Sequence, residues 1–230
     1  MRRKLKLGPV VAHGCYLVNL AGEAPVRRKS IAATAEELDR CARLGIECLV
    51  IHPGSHADPA VGIARIADGL KQVLRSRPEC PVRILLETTA GAGHQVGRTF
   101  DQLAAILGRM GQPQRLGVCL DTCHVFAAGY DIRTCQAYAR TMAELDRAVG
   151  LERLLAIHLN DSLAGLGSRL DRHAHIGRGT IGRRAFANFL NDSRLARVPM
   201  ILETPKGLDE KGRGWDRINA GVLRSLIVRK

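Results

Sequence analysis

The sequence has no stretch of about 18 or more consecutive apolar residues, which excludes a membrane-spanning helix of ordinary length. Its opening segment, MRRKLKLGPVV, is basic but lacks the apolar core of a secretory signal. A soluble protein of the cytoplasm, without membrane association, is the expectation. Cysteine occurs, but never paired. Cys15, Cys41, Cys48, Cys80, Cys119, Cys123 and Cys135 are odd in number, scattered and free of CxxC spacing, which argues against a zinc ribbon or a disulfide framework. A nucleotide fingerprint in its setting is missing as well. GxxxxGK[ST] does not occur, GRGTIG at 177–182 spells GxGxxG but follows none of the apolar runs, and the glycine-rich segment TTAGAG at 88–93, which does follow one, matches neither spacing. Gly91 and Gly93 therefore read as turn residues, and no nucleotide cofactor is expected. No low-complexity tract, Pro/Ser linker or close repeat divides the chain, so residues 1–230 are expected to form one domain.

What is present is a repeated alternation. Six short apolar runs, PVVAH at 9–13, ECLVIH at 47–52, VRILLE at 82–87, RLGVCLD at 115–121, LLAIHL at 154–159 and PMILE at 199–203, read as strands. Between them lie amphipathic segments at 34–44, 61–75, 102–109, 137–149 and 183–190, long enough to serve as crossover helices. Repeated βα units imply a parallel sheet, doubly wound or closed into a barrel. Each run also stops on, or within two residues of, a potential metal ligand: His13, His52, Glu87, Asp121, His158 and Glu203. The strand C-termini of a parallel barrel open on one face, where active sites are built. One polar residue at a strand end is ordinary; six of six are not independent accidents.

Three further candidates, His124 in DTCH and Asp171 with His173 in LDRHAH, bring the set to nine: five His and four carboxylates. Nitrogen and oxygen donors without thiolate suit zinc or another borderline divalent ion in a catalytic role. With three or four protein ligands to each ion and one carboxylate shared, nine ligands provide for three ions. Such clusters suit phosphodiester cleavage, where metals generate hydroxide and stabilise the leaving oxygen. A nucleophile built on Cys123 fits poorly, because His124, its obvious base, belongs to the metal set. The formal charge of +13 would attract a polyanion such as DNA. Charge alone does not decide the matter, since 28 of the 35 basic residues are Arg, dispersed as a coding bias would leave them.

The segments AHGCYLVNL (12–20), IHPGSH (51–56), LETTAGAG (86–93), GVCLDTCHVFAAGYDIRT (117–134), IHLNDS (157–162), GSRLDRHAHIGRGTIG (167–182) and ILETP (201–205) resemble, in order, the signature segments of the endonuclease IV family. The resemblance implies a TIM barrel of the xylose-isomerase-like type and a monomer acting on double-stranded DNA. It also implies cleavage 5′ to an abasic site to leave a 3′-hydroxyl, at a centre of three zinc ions. By family likeness His13, His52 and Glu87 hold one ion. Glu87 bridges to a second, held also by Asp121, His158 and Glu203, and His124, Asp171 and His173 hold the third. Glu87 is the implied catalytic residue, orienting and polarising the hydrolytic nucleophile. Tyr16 and Leu17 fall where the family inserts side chains into the DNA stack, as extruding an abasic nucleotide requires. Arg169 and Arg172, flanking Asp171, are candidate phosphate contacts, and Asn160 and Asp161 candidate supports for the ligands. His56, His94 and His175 match no ligand position.

The six strands match strands three to eight of the family's eight, so the expected barrel is incomplete, lacking the first two βα units and part of the DNA-binding surface. Open edges at 9–13 and 199–203 would then need closing, by upstream codons, a rearranged N-terminus or a partner chain. Two rival readings stand beside the endonuclease. Glu87, Asp121, His158 and Glu203 alone resemble the quartet of single-metal sugar isomerases and epimerases of the same barrel superfamily, which have no use for the other five ligands. The second rival is an inactive fragment that binds DNA or metal without turnover.

Overall fold

The computed structural model of the protein describes residues 8–111 and 114–228; the basic opening segment up to Leu7 lies outside them. Two compact units form, one from the described residues up to Thr88 with Gly93–Cys119, the other from Thr89–Ala92 with Leu120 onward.

In the first unit the elements run β1 (Val11–His13), α1 (Ala24–Leu44), β2 (Cys48–Ile51), β3 (Gly54–Ser55), α2 (Pro59–Ser76), β4 (Arg83–Glu87), β5 (Gln95–Val96), α3 (Phe100–Arg109) and β6 (Leu116–Asp121), whose last two residues belong to the second unit. Strands β1, β2, β4 and β6 are parallel neighbours in that order, with Val11 opposite Cys48, Leu49 opposite Ile84 and Leu86 opposite Val118. β3 and β5 form a small antiparallel pair. Leu49, Val50, Ile51, Leu85 and Leu86 are all buried, so successive residues on both faces of β2 and β4 are covered, as a parallel sheet flanked by helices requires. Capping chemistry sets the helix starts: Asp58 accepts from the N–H groups of Ala60 and Val61 ahead of α2, and Thr99 from Gln102 ahead of α3.

The second unit contains α4 (Thr122–Ala128), α5 (Cys135–Val149), β7 (Leu154–His158), β8 (Asp161–Ser162), β9 (His173–Ala174), α6 (Ala185–Leu190), β10 (Met200–Ile201) and α7 (Trp215–Arg224). β7 and β10 pair in parallel, with Ile201 opposite His158, and β8 and β9 pair antiparallel, with Ser162 opposite His173. All six expected strands form. Three helical readings are corrected. α1 begins at Ala24 rather than residue 34, and its buried face is built from Ser30, Thr34, Ala35, Leu38 and Cys41. That face is too small and polar to give an apolar period. Ser30 and Thr34 nevertheless fit inside, because their hydroxyls donate to the carbonyls of Val26 and Ser30 at 2.9 and 2.8 Å. α4 and α7 were absent from the expected set.

In the second unit the Tyr138 hydroxyl donates to Asp192 Oδ2 at 2.8 Å, and Arg194 grips the same carboxylate through Nε and a terminal nitrogen, at 2.9 and 2.6 Å. The Arg194 guanidinium holds the Asp192 carboxyl below the usual carboxylate range. A carboxyl whose folded pKa is depressed contributes stability that is complete above its unfolded pKa of about 4 and lost as pH falls through the folded value. Asp192→Asn should therefore flatten part of the acid limb of stability. Urea midpoints followed downward from neutral pH should fall less steeply for the variant below about pH 4; parallel curves would show that the pair contributes nothing.

Candidate metal centre

The register of the first unit brings three candidate ligands together. Ile51 pairs with Leu86, so His52 follows beside Glu87, and His13 ends the neighbouring strand. The Nε2 atoms of His13 and His52 each lie 2.9 Å from Glu87 Oε2, and their rings meet edge to face at 5.4 Å between centroids. Glu87 is fully buried. His13 Nδ1 lies 2.8 Å from the Gly14 carbonyl, an atom that can only accept, so this nitrogen carries the ring proton. In the neutral ring Nε2 is then a lone pair aimed at a carboxylate oxygen. Two acceptors at that distance repel unless a cation or an added proton lies between them. The donor set and its orientation fit a divalent metal.

The second unit holds the other six. Asp121 ends β6 and caps α4, its Oδ1 accepting from His124 N–H at 2.9 Å. This cap turns the chain so that His124 Nε2 lies 3.1 Å from Asp171 Oδ2. His158 Nδ1 lies 2.9 Å from Glu203 Oε2 and 3.9 Å from Asp121 Oδ2. His173 repeats the pattern of His13. Its Nδ1 donates to the Glu203 carbonyl at 3.1 Å, and its buried Nε2 has no hydrogen-bond partner among the described residues while facing Asp171 Oδ1 at 3.4 Å and Asp121 Oδ2 at 3.6 Å. A buried acceptor among carboxylate oxygens again fits a cation. His124, Asp171 and His173 each offer a ligand atom within 4.8 Å of one another, as His13, His52 and Glu87 do.

Cys123 lies in the same region but is not poised as a nucleophile. Its Sγ points at the Arg172 carbonyl at 3.6 Å, and burial, with the Asp121 charge adding to it, pushes the thiol up to about 12. Tyr16 and Leu17 form an exposed turn after β1, 82% and 71% accessible, where burial in a core would have hidden them. Arg169 and Arg172 are exposed, and Arg169 has the only positive φ of a described non-glycine residue, 57°. Its N–H donates to the Ala127 carbonyl at 2.9 Å. His56, His94 and His175 lie outside every ligand group; His175 stacks on Trp215 at 3.7 Å.

Two supports, Thr122 and Asn219, were not legible in the sequence, whereas a third, Asp161, stands where a candidate support was expected. Thr122 Oγ1 donates to the Asn160 carbonyl at 2.7 Å and receives the Asn160 N–H at 2.8 Å. Asn219, buried on α7, holds the Ile176 N–H at 3.0 Å and the Thr204 hydroxyl at 2.9 Å. The buried Asp161 carboxylate accepts five backbone N–H groups, those of Ser162, Gly177, Gly179, Ile181 and Gly182. The place of Asp161 shortly after His158 is the one signal that pointed to any of them.

A protein whose strand ends carry these two sets of ligands is of the xylose isomerase-like TIM barrel class, and the family model of that description matches residues 2–225. The chain is 51% identical over 229 residues to Probable endonuclease 4 of Chloroflexus aurantiacus, covering 98% of this chain and 79% of that one. The chain belongs to the endonuclease IV family. The crystal structure of endonuclease IV from Thermus thermophilus superposes with a TM-score of 0.81 at 43% identity, over 95% of this chain and 75% of that one. A D-tagatose 3-epimerase-like protein superposes with a TM-score of 0.75 at 18% identity, covering 98% of this chain and 79% of that one, a likeness of fold alone. Among the described residues no helix is long and apolar enough to cross a membrane.

Proposed function

We propose that the chain acts as one domain, a cytoplasmic, monomeric DNA-repair endonuclease that hydrolyses the phosphodiester 5′ to an abasic site in duplex DNA and leaves a 3′-hydroxyl. The observation that carries this reading is the retention of all nine ligand positions of the endonuclease IV pattern. They stand in two constellations, each with an imidazole lone pair turned toward carboxylate oxygen. Three zinc ions are the proposed complement: one on His13, His52 and Glu87, one on Glu87, Asp121, His158 and Glu203, and one on His124, Asp171 and His173. Bound zinc supplies a Lewis acid and a nucleophile at neutral pH.

The chain's own residues do the rest. Glu87, held between two imidazoles, orients the attacking oxygen toward phosphorus. Tyr16 and Leu17, already exposed, enter the base stack in place of the extruded nucleotide, so the protein spends little on uncovering them. Arg169 and Arg172 beside Asp171 hold phosphate oxygens, and the net charge of +13 draws the duplex in. The sugar-epimerase reading rests on the likeness of fold and of the quartet Glu87, Asp121, His158 and Glu203, and leaves five ligands without a task.

The test is to count metal in the purified chain and to offer it a duplex with a single abasic analogue. About three zinc ions per chain and a nick 5′ to the lesion are expected, with EDTA removing both. One ion per chain and an intact duplex would overturn the reading in favour of the epimerase chemistry. Tyr16→Ala with Leu17→Ala should leave the zinc count unchanged while weakening capture of abasic duplex roughly tenfold or more, since base-stack contacts are worth about 1–3 kcal/mol each.

A further inference from the structure

We propose that Asn160 is a positioning residue that holds Asp121 and Glu203 in the geometry that binds one of the three ions, an inference that rests on the zinc reading above. Asn160 is fully buried just past β7, two residues beyond His158. Its side chain makes two hydrogen bonds, and together they leave no freedom in the amide's orientation. Oδ1 accepts the backbone N–H of Glu203 at 2.9 Å, a group that can only donate. Nδ2 is therefore the atom facing Asp121 Oδ2, at 2.6 Å, and it donates to that carboxylate.

The backbone of Asn160 is anchored as firmly. The Thr122 hydroxyl receives its N–H at 2.8 Å and donates to its carbonyl at 2.7 Å, with the His158 carbonyl 3.2 Å away. A residue adjacent to Asp121 thus locks the segment that carries His158 and Asn160, and Asn160 in turn locks Asp121 and the backbone of Glu203. Asp121 has one oxygen tied to the His124 N–H and the other to Asn160, so its carboxylate plane is set before any cation arrives. Glu203 gains the same benefit at its backbone, whose carbonyl also receives His173 Nδ1. Three of the four residues assigned to the Glu87-bridged ion are thereby tied to Asn160 or to its Thr122 anchor. The ring sets neutral groups around the buried Asp121 carboxylate, whose charge the Asn160 amide partly compensates. Its effect on the ligands is to restrict their orientation, and losing such orienting partners typically costs 10–100-fold in metal affinity.

The test compares zinc retention in wild-type protein, Asn160→Ala, Thr122→Val and Thr122→Ser by chelator competition, with near-UV circular dichroism to verify folding. Asn160→Ala and Thr122→Val should release one zinc per chain at roughly 10–100-fold lower chelator strength, while the other two ions leave at wild-type strength. Thr122→Ser keeps the hydroxyl and should behave as wild type. If wild-type protein retains three ions and Asn160→Ala or Thr122→Val, folded, retains them equally well, the positioning role is wrong and the zinc reading stands. If wild-type protein itself holds no zinc, both fall. Because Thr122→Val is nearly isosteric, its result decides the question even if Asn160→Ala does not fold.

Discussion

Glu87→Gln should lower incision of abasic duplex by roughly 10³-fold or more, about 4 kcal/mol in the barrier, while leaving the metal-free protein at least as stable as wild type. The two halves of this expectation come from one geometry. Glu87 is fully buried with Oε2 at 2.9 Å from the Nε2 atoms of both His13 and His52. The His13 ring proton sits on Nδ1, against the Gly14 carbonyl, so without metal or an added proton a carboxylate oxygen opposes an imidazole lone pair. An amide of the same shape can turn its NH2 toward that lone pair and replace a repulsion with a hydrogen bond, removing a buried charge as it does so. The same substitution removes the negative oxygen that would hold zinc and that is proposed to orient the nucleophile. Metal-free Glu87→Gln should melt at or above the wild-type temperature, whereas added zinc should raise its melting point less than it raises that of wild type. Incision within tenfold of wild type, at full zinc occupancy, would remove Glu87 from the catalytic role.

The ligands were legible in the sequence for a reason that does not extend to their supports. Every one of the nine lies at a strand end or within a short motif next to another ligand, so an apolar run and the polar residue that stops it mark the position without knowledge of the partner. His52 meets Glu87 because Ile51 pairs with Leu86, a register that follows from the parallel order of the strands. Asn160 was legible as a candidate support from its place after His158, but its hold on the Glu203 N–H, 43 residues away, is a tertiary choice with no local trace. The same holds for Asn219, whose three partners Thr204, His175 and Ile176 lie at some distance along the chain. α1 shows a different failure. Ser30 and Thr34 bury their hydroxyls against the helix's own carbonyls, so ten residues of real helix carried no apolar stripe. α4 is short, but its start was readable: Asp121 caps it, and reading that residue only as a ligand concealed its second task.

Gly179→Ala should be among the most damaging single-methyl additions to this chain, lowering stability by about 3–5 kcal/mol. A Cβ at that position would stand 2.5 Å from Asp161 Oδ1 and closer still to the Ser162 carbonyl, both held rather than free to yield. Asp161 is completely buried, and its charge is compensated by backbone N–H groups: Oδ1 takes those of Ser162, Ile181 and Gly182, and Oδ2 those of Gly177 and Gly179. Moving the carboxylate aside breaks several charge-assisted bonds at once, and a buried carboxylate short of donors is costly. For a chain of this size such a loss lowers the melting temperature by roughly 6–20 °C. Gly165→Ala is the control, since a Cβ there meets nothing within 4 Å and should change stability by no more than about 0.5 kcal/mol. The damage should also reach the metal centre, because Asp161 and Ser162 pair with Ala174 and His173. Zinc titration of the folded fraction should show the ion assigned to His124, Asp171 and His173 weakened before the others. A variant that melts within a degree or two of wild type would show that the 177–182 segment is not held by Asp161 in the way the hydrogen bonds require.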